Sequence, residues 1–159
     1  MALRIGYGFD IHRLAAGRRL VLGGVILDED FGCVAHSDGD VLVHAICDAL
    51  LGAAALGDIG RHFPDDDEAY RDISSIVLLR TVRSMLAEQR WRIENIDTTV
   101  VLDRPKIASF RHEMARRIAE AADIPVEAVS IKATTSEGIG FIGRGEGIAA
   151  HAVVLIASA

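Results

Sequence analysis

Two histidines and an aspartate stand where they could share one metal ion. Asp10-Ile11-His12 lies at the end of an extended run, and His44 interrupts an apolar stretch with helical spacing. Alternation along a strand places Asp10 and His12 on one face, as a shared ion requires. Two imidazoles and a carboxylate leave a fourth position open, which is typical of catalytic zinc. We therefore expect a zinc enzyme. The alternative is that both are core histidines, each satisfied by a carboxylate.

Two further aspartates flank His44 on the same helical face. Asp40 lies four residues before it and Asp48 four residues after it, and residues four apart are neighbours on a helix. Carboxylates often hold the second nitrogen of a metal-bound imidazole and fix its tautomer. Either aspartate could do this for His44.

The remaining histidines differ in their surroundings. His36 lies in the polar turn AHSDGD at residues 35–40, where an imidazole, a hydroxyl and free backbone amides could bind an anion. His62 precedes three consecutive aspartates and is either a loop residue or a phosphate contact. His112 and His151 are interpreted as structural, on a polar helix face and in an apolar strand.

A second group of polar residues lies at 132–147, in the segment KATTSEGIGFIGRGEG. Residues 138–143 match G-x-G-x-x-G, but the dinucleotide fingerprint must open a helix and be followed by a distant acidic residue. Here a strand follows, so we reject that interpretation. Glu137 suits a hard ion such as Mg²⁺ or Mn²⁺. The alternative is a glycine-rich hairpin with a few exposed charges.

The elements that would position these residues alternate between extended and helical patterns. Strands are predicted at 4–9, 93–102, 129–133 and 148–156, with a hairpin of 20–22 and 25–27 about Gly23-Gly24. Helices are predicted at 38–57, 74–89 and 109–122, and a polar loop at 58–71. No linker or repeat divides residues 1–159. We predict a single α+β domain, a mixed sheet with helices packed on one face.

Composition excludes several classes of protein. Of 159 residues, 50% are hydrophobic and 25% charged, as in a globular protein with a real core. The net charge of −6 argues against general binding to nucleic acid or anionic membranes. No apolar run is long enough for a spanning helix. Cys33 and Cys47 form no C-x-x-C pair and are interpreted as reduced thiols, which favours a cytoplasmic protein.

Three segments together resemble one enzyme family in order and spacing. They are GYGFDIHRL at 6–14, AHSDGDVLVHAICDALLGAAALGDIGRHFPD at 35–65, and KATTSEG at 132–138 with GRGEGIAA at 143–150. The chain resembles the 2-C-methyl-D-erythritol 2,4-cyclodiphosphate synthases along its whole length. These enzymes of the non-mevalonate isoprenoid pathway convert 4-diphosphocytidyl-2-C-methyl-D-erythritol 2-phosphate into a cyclic diphosphate and CMP.

The resemblance implies a role for each group of site residues. Asp10, His12 and His44 would bind Zn²⁺ and present it to the β-phosphate, which the substrate's own 2-phosphate attacks. His36 and Thr135 would stabilise the transition state. Glu137 would hold Mg²⁺ or Mn²⁺ between the α- and β-phosphates. Catalysis would then consist of positioning and charge neutralisation, without a protein nucleophile.

The resemblance also implies substrate contacts and an assembly. Family members are homotrimers whose active sites lie between subunits, and some hold an isoprenoid diphosphate in a central cavity. The cavity residues would be Phe141, Arg144 and Glu146, of which Phe141 and Arg144 would also contact the substrate. The other substrate contacts would be Asp10, Ile11, His12, His36, Ser37, Asp58, Ile59, Gly60, Phe63, Pro64, Asp65, Asp66, Asp67, Leu102, Asp103, Arg104, Pro105, Lys106, Ile107, Ala108, Lys132, Ala133, Thr134, Thr135, Ser136 and Glu137.

Three departures from the family pattern are present. By the resemblance, the loop at 102–108 would hold the cytidine. Leu102 replaces a small residue at the start of this loop, which predicts altered packing there. Residues 72–75 replace a Gly-Ala-Asp-Ser run at a helix start, and Gly138 and Ile142 replace Lys and Thr. Two other functions fit the motifs: a trimeric module that binds metal and nucleotides without turnover, and a zinc phosphohydrolase in which water attacks.

Overall fold

A five-stranded mixed sheet forms the centre of the computed structural model, which describes residues 1–159. The strands are β1 (Leu3–Ala16), β4 (Phe31–Cys33), β5 (Trp91–Val101), β6 (Val129–Thr134) and β7 (Gly147–Ser158). Their order is β4-β1-β7-β5-β6, and only β5 and β6 are parallel. A separate hairpin joins β2 (Leu20–Leu22) and β3 (Val25–Leu27). The predicted α+β class is confirmed.

The helices surround the core. They are α1 (Val41–Ala53), α2 (Ile59–His62), α3 (Ser75–Glu88), α4 (Arg111–Ala122) and α5 (Gly140–Gly143), with 3₁₀ turns at Glu68–Tyr70, Ala108–Phe110 and Val126–Ala128. Helix α1 packs on β1 and β7, α3 packs on α1 and α4, and α4 packs on β6. No helix is both long and apolar enough to cross a bilayer.

Helix α1 lies unusually close to β1 because of two glycines. A Cβ at Gly6 would lie 1.8 Å from the Ala49 carbonyl oxygen, and one at Gly8 would lie 1.9 Å from that of Ala45. Only hydrogen fits at these points, so the helix backbone rests directly on the strand. His44, next to Ala45, is thereby brought beside the part of β1 that carries Asp10 and His12.

Most predicted elements are confirmed with changed ends. Strand β1 is longer than predicted because it pairs with β7 as far as Arg13↔Gly147 and then with β4. Helix α1 is shorter at its start because Asp40 is its N-cap and accepts a hydrogen bond from the Val43 amide. The departure at 72–75 does not prevent a helix, since α3 begins at Ser75.

Two predicted loops are partly wrong. The segment 58–71 contains α2, whose start is capped by Asp58, and a 3₁₀ turn capped by Asp67. The glycine-rich segment is not a simple hairpin, because α5 lies in its middle before β7 begins. Helices of three or four residues are too short to show an apolar periodicity, so the sequence pattern does not reveal them.

Candidate active site

The three candidate metal ligands meet at one point. His12 Nε2 lies 3.0 Å from His44 Nδ1, and Asp10 Oδ2 lies 3.0 Å from the former and 3.1 Å from the latter. Strand β1 supplies Asp10 and His12, and α1 supplies His44. The expectation that these residues converge is confirmed.

This donor set fits a zinc ion. Bonds of about 2.0–2.1 Å in tetrahedral geometry place neighbouring ligand atoms about 3.3 Å apart, close to the separations in the triad. Two neutral imidazoles and one carboxylate are ordinary zinc ligands, and three of them leave one position for another molecule. The triad therefore could hold a metal ion, by both its composition and its shape.

The electrostatics of the triad favour an ionised carboxylate. Burial would raise the pKa of Asp10, but hydrogen bonds with His12 and His44 outweigh it and lower that pKa to about 2. Burial would lower the pKa of His44, but its contacts with Asp10 raise it overall. A proton and a metal ion thus compete for the same nitrogen of His44.

The second nitrogen of His44 has partners that the sequence did not predict. Its Nε2 lies 2.8 Å from the Ser75 hydroxyl and 3.2 Å from that of Ser37. The prediction that Asp40 or Asp48 holds this nitrogen is wrong. The Asp40 carboxylate accepts hydrogen bonds from the backbone amides of Gly23, Gly24 and Val43. The Asp48 carboxylate accepts one from the backbone amide of Ile59. Both carboxylates are occupied by backbone donors that helical periodicity could not indicate.

A pocket of about 540 Å³ opens beside the triad. Besides Asp10 and His12, its walls include eight of the expected substrate contacts, namely His36, Ser37, Ile59, Gly60, Phe63, Pro64, Asp65 and Asp66. Asp58 and Asp67 act as caps and are not in this wall. His36 Nε2 donates to the Asp67 carbonyl at 2.9 Å, which ties the turn at 35–40 to the aspartate loop.

Of the other three histidines, His62 and His151 have hydrogen-bond partners within the chain. His62 Nε2 donates to the Leu56 carbonyl at 2.9 Å, which favours a structural role over a phosphate contact. His112 is exposed on α4. His151 Nδ1 lies 3.0 Å from the Tyr7 hydroxyl on the face of the sheet opposite α1.

The second group of candidate residues lies elsewhere on the chain. Ala133, Thr134, Thr135 and Glu137 are exposed at the end of β6 and in the loop after it, and the Thr135 hydroxyl lies 3.3 Å from Glu137 Oε1. None of these residues lines the pocket beside the triad. Lys132, on β6, is paired with Asp97 at 2.7 Å.

The loop at 102–108 is fastened to this group by one carboxylate. Asp103 Oδ1 accepts hydrogen bonds from the backbone amide and the hydroxyl of Ser136, at 2.8 and 3.0 Å. Its Oδ2 accepts a hydrogen bond from the Gly138 amide. These bonds lower the pKa of Asp103, with the Ser136 amide contributing most. Leu102 and Ile107 are buried in the core, so their side chains serve packing, whereas Arg104, Lys106 and Ala108 are exposed and Pro105 is half-buried.

Two of the three candidate cavity residues lie near β1, the strand that carries Asp10 and His12. Phe141 and Glu146 share a shallow groove with residues 11–14, and Arg144 Nε donates to Glu146 Oε1 at 2.7 Å. Phe141 is 39% exposed despite its apolar ring. The sequence indicated none of these contacts.

Comparison with known proteins gives a consistent result. A 2-C-methyl-D-erythritol 2,4-cyclodiphosphate synthase of Syntrophomonas wolfei is 57% identical over 157 residues, covering 99% of this chain and 100% of that protein. The bifunctional IspDF of Campylobacter jejuni superposes with a TM-score of 0.96 at 40% identity, over 99% of this chain and 43% of that one. IspF of Plasmodium falciparum, solved as a CDP complex, superposes with a TM-score of 0.87 at 32% identity. This match covers 99% of this chain and 97% of that one.

The match extends from the first strand to the last. A family model matches residues 3–157, and these include the triad, the wall of its pocket and the loop that carries Glu137. The chain belongs to the YgbB family.

Proposed function

We propose that this protein is a 2-C-methyl-D-erythritol 2,4-cyclodiphosphate synthase in which residues 1–159 form one catalytic domain. It would convert 4-diphosphocytidyl-2-C-methyl-D-erythritol 2-phosphate into the cyclic diphosphate and CMP, for isoprenoid precursor synthesis. The observation that carries the proposal is the Asp10, His12 and His44 cluster at the pocket, in a chain 57% identical to an enzyme of that name. Its free, buried cysteines fit work in a reducing cytoplasm.

The protein's part in this reaction is to position phosphates and balance their charge. Asp10, His12 and His44 would hold Zn²⁺, which supplies Lewis-acid polarisation of a phosphate oxygen when bound. His36 and Ser37 stand beside the triad and offer polar groups to the phosphate that attacks. Because nucleophile and electrophile belong to one substrate, holding them close is itself a large part of catalysis.

The residues at 132–137 would bind the diphosphate from its other side. Glu137 is an exposed carboxylate suited to Mg²⁺ or Mn²⁺, and Thr135 beside it is a hydroxyl donor for a charged phosphate oxygen. The neighbouring loop at 102–108 would hold the cytidine, chiefly through its backbone. Asp103 supports this arrangement by fixing the two loops to each other.

The distance between these two groups within one chain supports a site shared by subunits. Asp10 pairs with Ala150, Ala150 with Val100, and Val100 with Ala133. Neighbouring strands lie about 4.8 Å apart, so Ala133 is about 14 Å from Asp10 across the sheet. One diphosphate does not bridge this gap easily. The Glu137 loop that completes each pocket would come from another copy.

An apolar surface favours the same assembly. Alternate residues of β1 point away from α1 and are exposed, with Ile5 at 74% and Tyr7 at 61%, together with Leu3, Phe9 and Ile11. A contiguous apolar strip of this kind is typical of an interface. We propose a homotrimer that buries these strips. Phe141, Arg144 and Glu146 would then line its axis, where arginines could bind an isoprenoid diphosphate.

Phosphorus NMR tests the reaction directly. Purified protein with the diphosphocytidyl substrate, Zn²⁺ and Mg²⁺ should give a cyclic diphosphate together with CMP. A linear phosphate product would show that water attacks, as in a phosphohydrolase. Binding of CMP and metal without product would identify a binding module. Either of these results would refute the synthase assignment.

A further inference from the structure

His44 is held from both sides of its ring. Its Nδ1 faces Asp10 and His12, and its Nε2 lies 2.8 Å from the Ser75 hydroxyl. That hydroxyl in turn lies 2.5 Å from Asp38 Oδ1. The three side chains form a line from the candidate metal position into the protein.

The carboxylate of Asp38, at the inner end of this line, sets the direction of its hydrogen bonds. The carboxylate of Asp38 can only accept, so the single proton of the Ser75 hydroxyl is donated to it. The Ser75 oxygen is then an acceptor toward His44, whose Nε2 must carry the proton. A neutral imidazole protonated at Nε2 has its free electron pair on Nδ1, the atom that faces Asp10 and His12.

The Asp38 carboxylate is itself fixed by the backbone. Its Oδ2 accepts a hydrogen bond from the Ser75 backbone amide at 2.9 Å, and its Oδ1 also accepts one from the Asp40 backbone amide at 3.1 Å. Ser75 is fully buried at the first position of α3, and its side chain has no access to water. The orientation of this serine is therefore set by Asp38 rather than by solvent.

Ser37 does not determine the direction of its hydrogen bond with His44. Its hydroxyl lies 3.2 Å from His44 Nε2, but its only other partner is the Gly39 amide, a donor at 3.4 Å. Without a carboxylate behind it, this hydroxyl can either donate to or accept from the imidazole. It leaves the tautomer of His44 undetermined.

We propose that Ser75 and Asp38 are positioning residues that hold His44 as the Nε2-protonated tautomer, so that Nδ1 is free to bind the metal ion. The inference rests on the metal site proposed above, which zinc binding by the unaltered protein tests separately. Outer hydrogen-bond partners of metal ligands commonly contribute about 10–100-fold in metal affinity. The same range is expected here.

The test measures zinc affinity by competition with a chromogenic chelator. Ser75→Ala and the nearly isosteric Asp38→Asn should each bind zinc about 10–100-fold more weakly than the unaltered protein. Asn can donate from its amide, so it no longer dictates the direction of the Ser75 proton. Ser75→Thr keeps the hydroxyl and should recover affinity. Ser74→Ala, next to Ser75 but exposed and without a side-chain cap bond, is the matched control.

A spectroscopic measurement separates positioning from a purely structural role. In the ¹⁵N-labelled, zinc-loaded protein, the His44 Nε2–H signal should be shifted downfield and protected from exchange, and both features should be lost in Ser75→Ala. If either Ser75→Ala or Asp38→Asn binds zinc within about threefold of the unaltered protein, well short of the expected loss, the proposal is wrong. Should Ser75→Ala fail to fold, Asp38→Asn and Ser75→Thr decide.

Discussion

At the scale of residues, the proposed site separates into two candidate ion-binding groups of different character. Asp10, His12 and His44 are partly or fully buried and hold one another within about 3 Å, at distances that suit zinc. Glu137 is exposed on a loop, with only Thr135 beside its carboxylate. Loss of one group should therefore leave the other intact.

Replacing His44 tests the first group. His44→Ala removes one of three ligands and should abolish stoichiometric zinc binding and turnover while the protein remains folded and assembled. Metal analysis after dialysis and a turnover assay would measure this. His112→Ala, at an exposed position on α4, is the control. Near-normal activity of the His44 variant would contradict the metal assignment.

Replacing Glu137 tests the second group. Glu137→Gln removes a charged oxygen ligand, so the Mg²⁺ or Mn²⁺ concentration needed for half-maximal activity should rise by about tenfold or more. Zinc content should stay unchanged. Glu127→Gln, at an exposed carboxylate without an ion pair, controls for the loss of charge. Equal loss of both ions would argue that the two sites are not separate.

At the scale of elements, the contact between β1 and α1 brings the three candidate metal ligands together. Strand and helix meet at Gly6 with Ala49 and at Gly8 with Ala45, pairs that lie 43 and 37 residues apart in sequence, and neither contact has room for a Cβ. The same contact sets the distance from Asp10 and His12 to His44. Fold and site therefore depend on the same two glycines.

A methyl group at Gly8 should disturb both stability and metal binding. Gly8→Ala places a Cβ against the α1 backbone and should lower the free energy of unfolding by about 1–3 kcal/mol or more. Zinc affinity should fall as well, because α1 must move away. Denaturant unfolding and chelator competition would measure the two effects.

Gly52 offers the matched control on the same helix. A Cβ there meets no atom within 4 Å, and alanine is the better helix former. Gly52→Ala should therefore raise stability by up to about 1 kcal/mol and leave zinc binding unchanged. If Gly8→Ala proved as stable as Gly52→Ala, close backbone packing would not be what positions His44.

At the scale of the whole molecule, the sheet has one face covered by helices and one that is not. The uncovered face carries Ile5, Tyr7 and Phe9 on β1 and Val153 on β7, all large and exposed. The register across the sheet also separates the triad from the Glu137 loop by about three strand spacings. A second copy would cover the face and complete the site at once.

A charge on this face should prevent assembly. Ile5→Glu would bury a carboxylate without a partner in the proposed trimer, so sedimentation should show dissociation, and turnover should be lost with it. Val77→Glu, at a half-exposed position on α3, is the control and should still form trimers. A trimeric, active Ile5→Glu protein would place the interface elsewhere.

The sequence by itself determined the α+β class, the main strands and helices, and the chemical types of the ligands. Local periodicity and residue chemistry are sufficient for these, and the order of the motifs was sufficient to indicate the family. Tertiary structure decided which groups meet. Ser75 and Asp38 are 37 residues apart, and neither their contact with each other nor that of Ser75 with His44 has a signal in either segment. Asp40 and Asp48, near His44 in sequence, are directed elsewhere by backbone amides that only the packed chain brings to them.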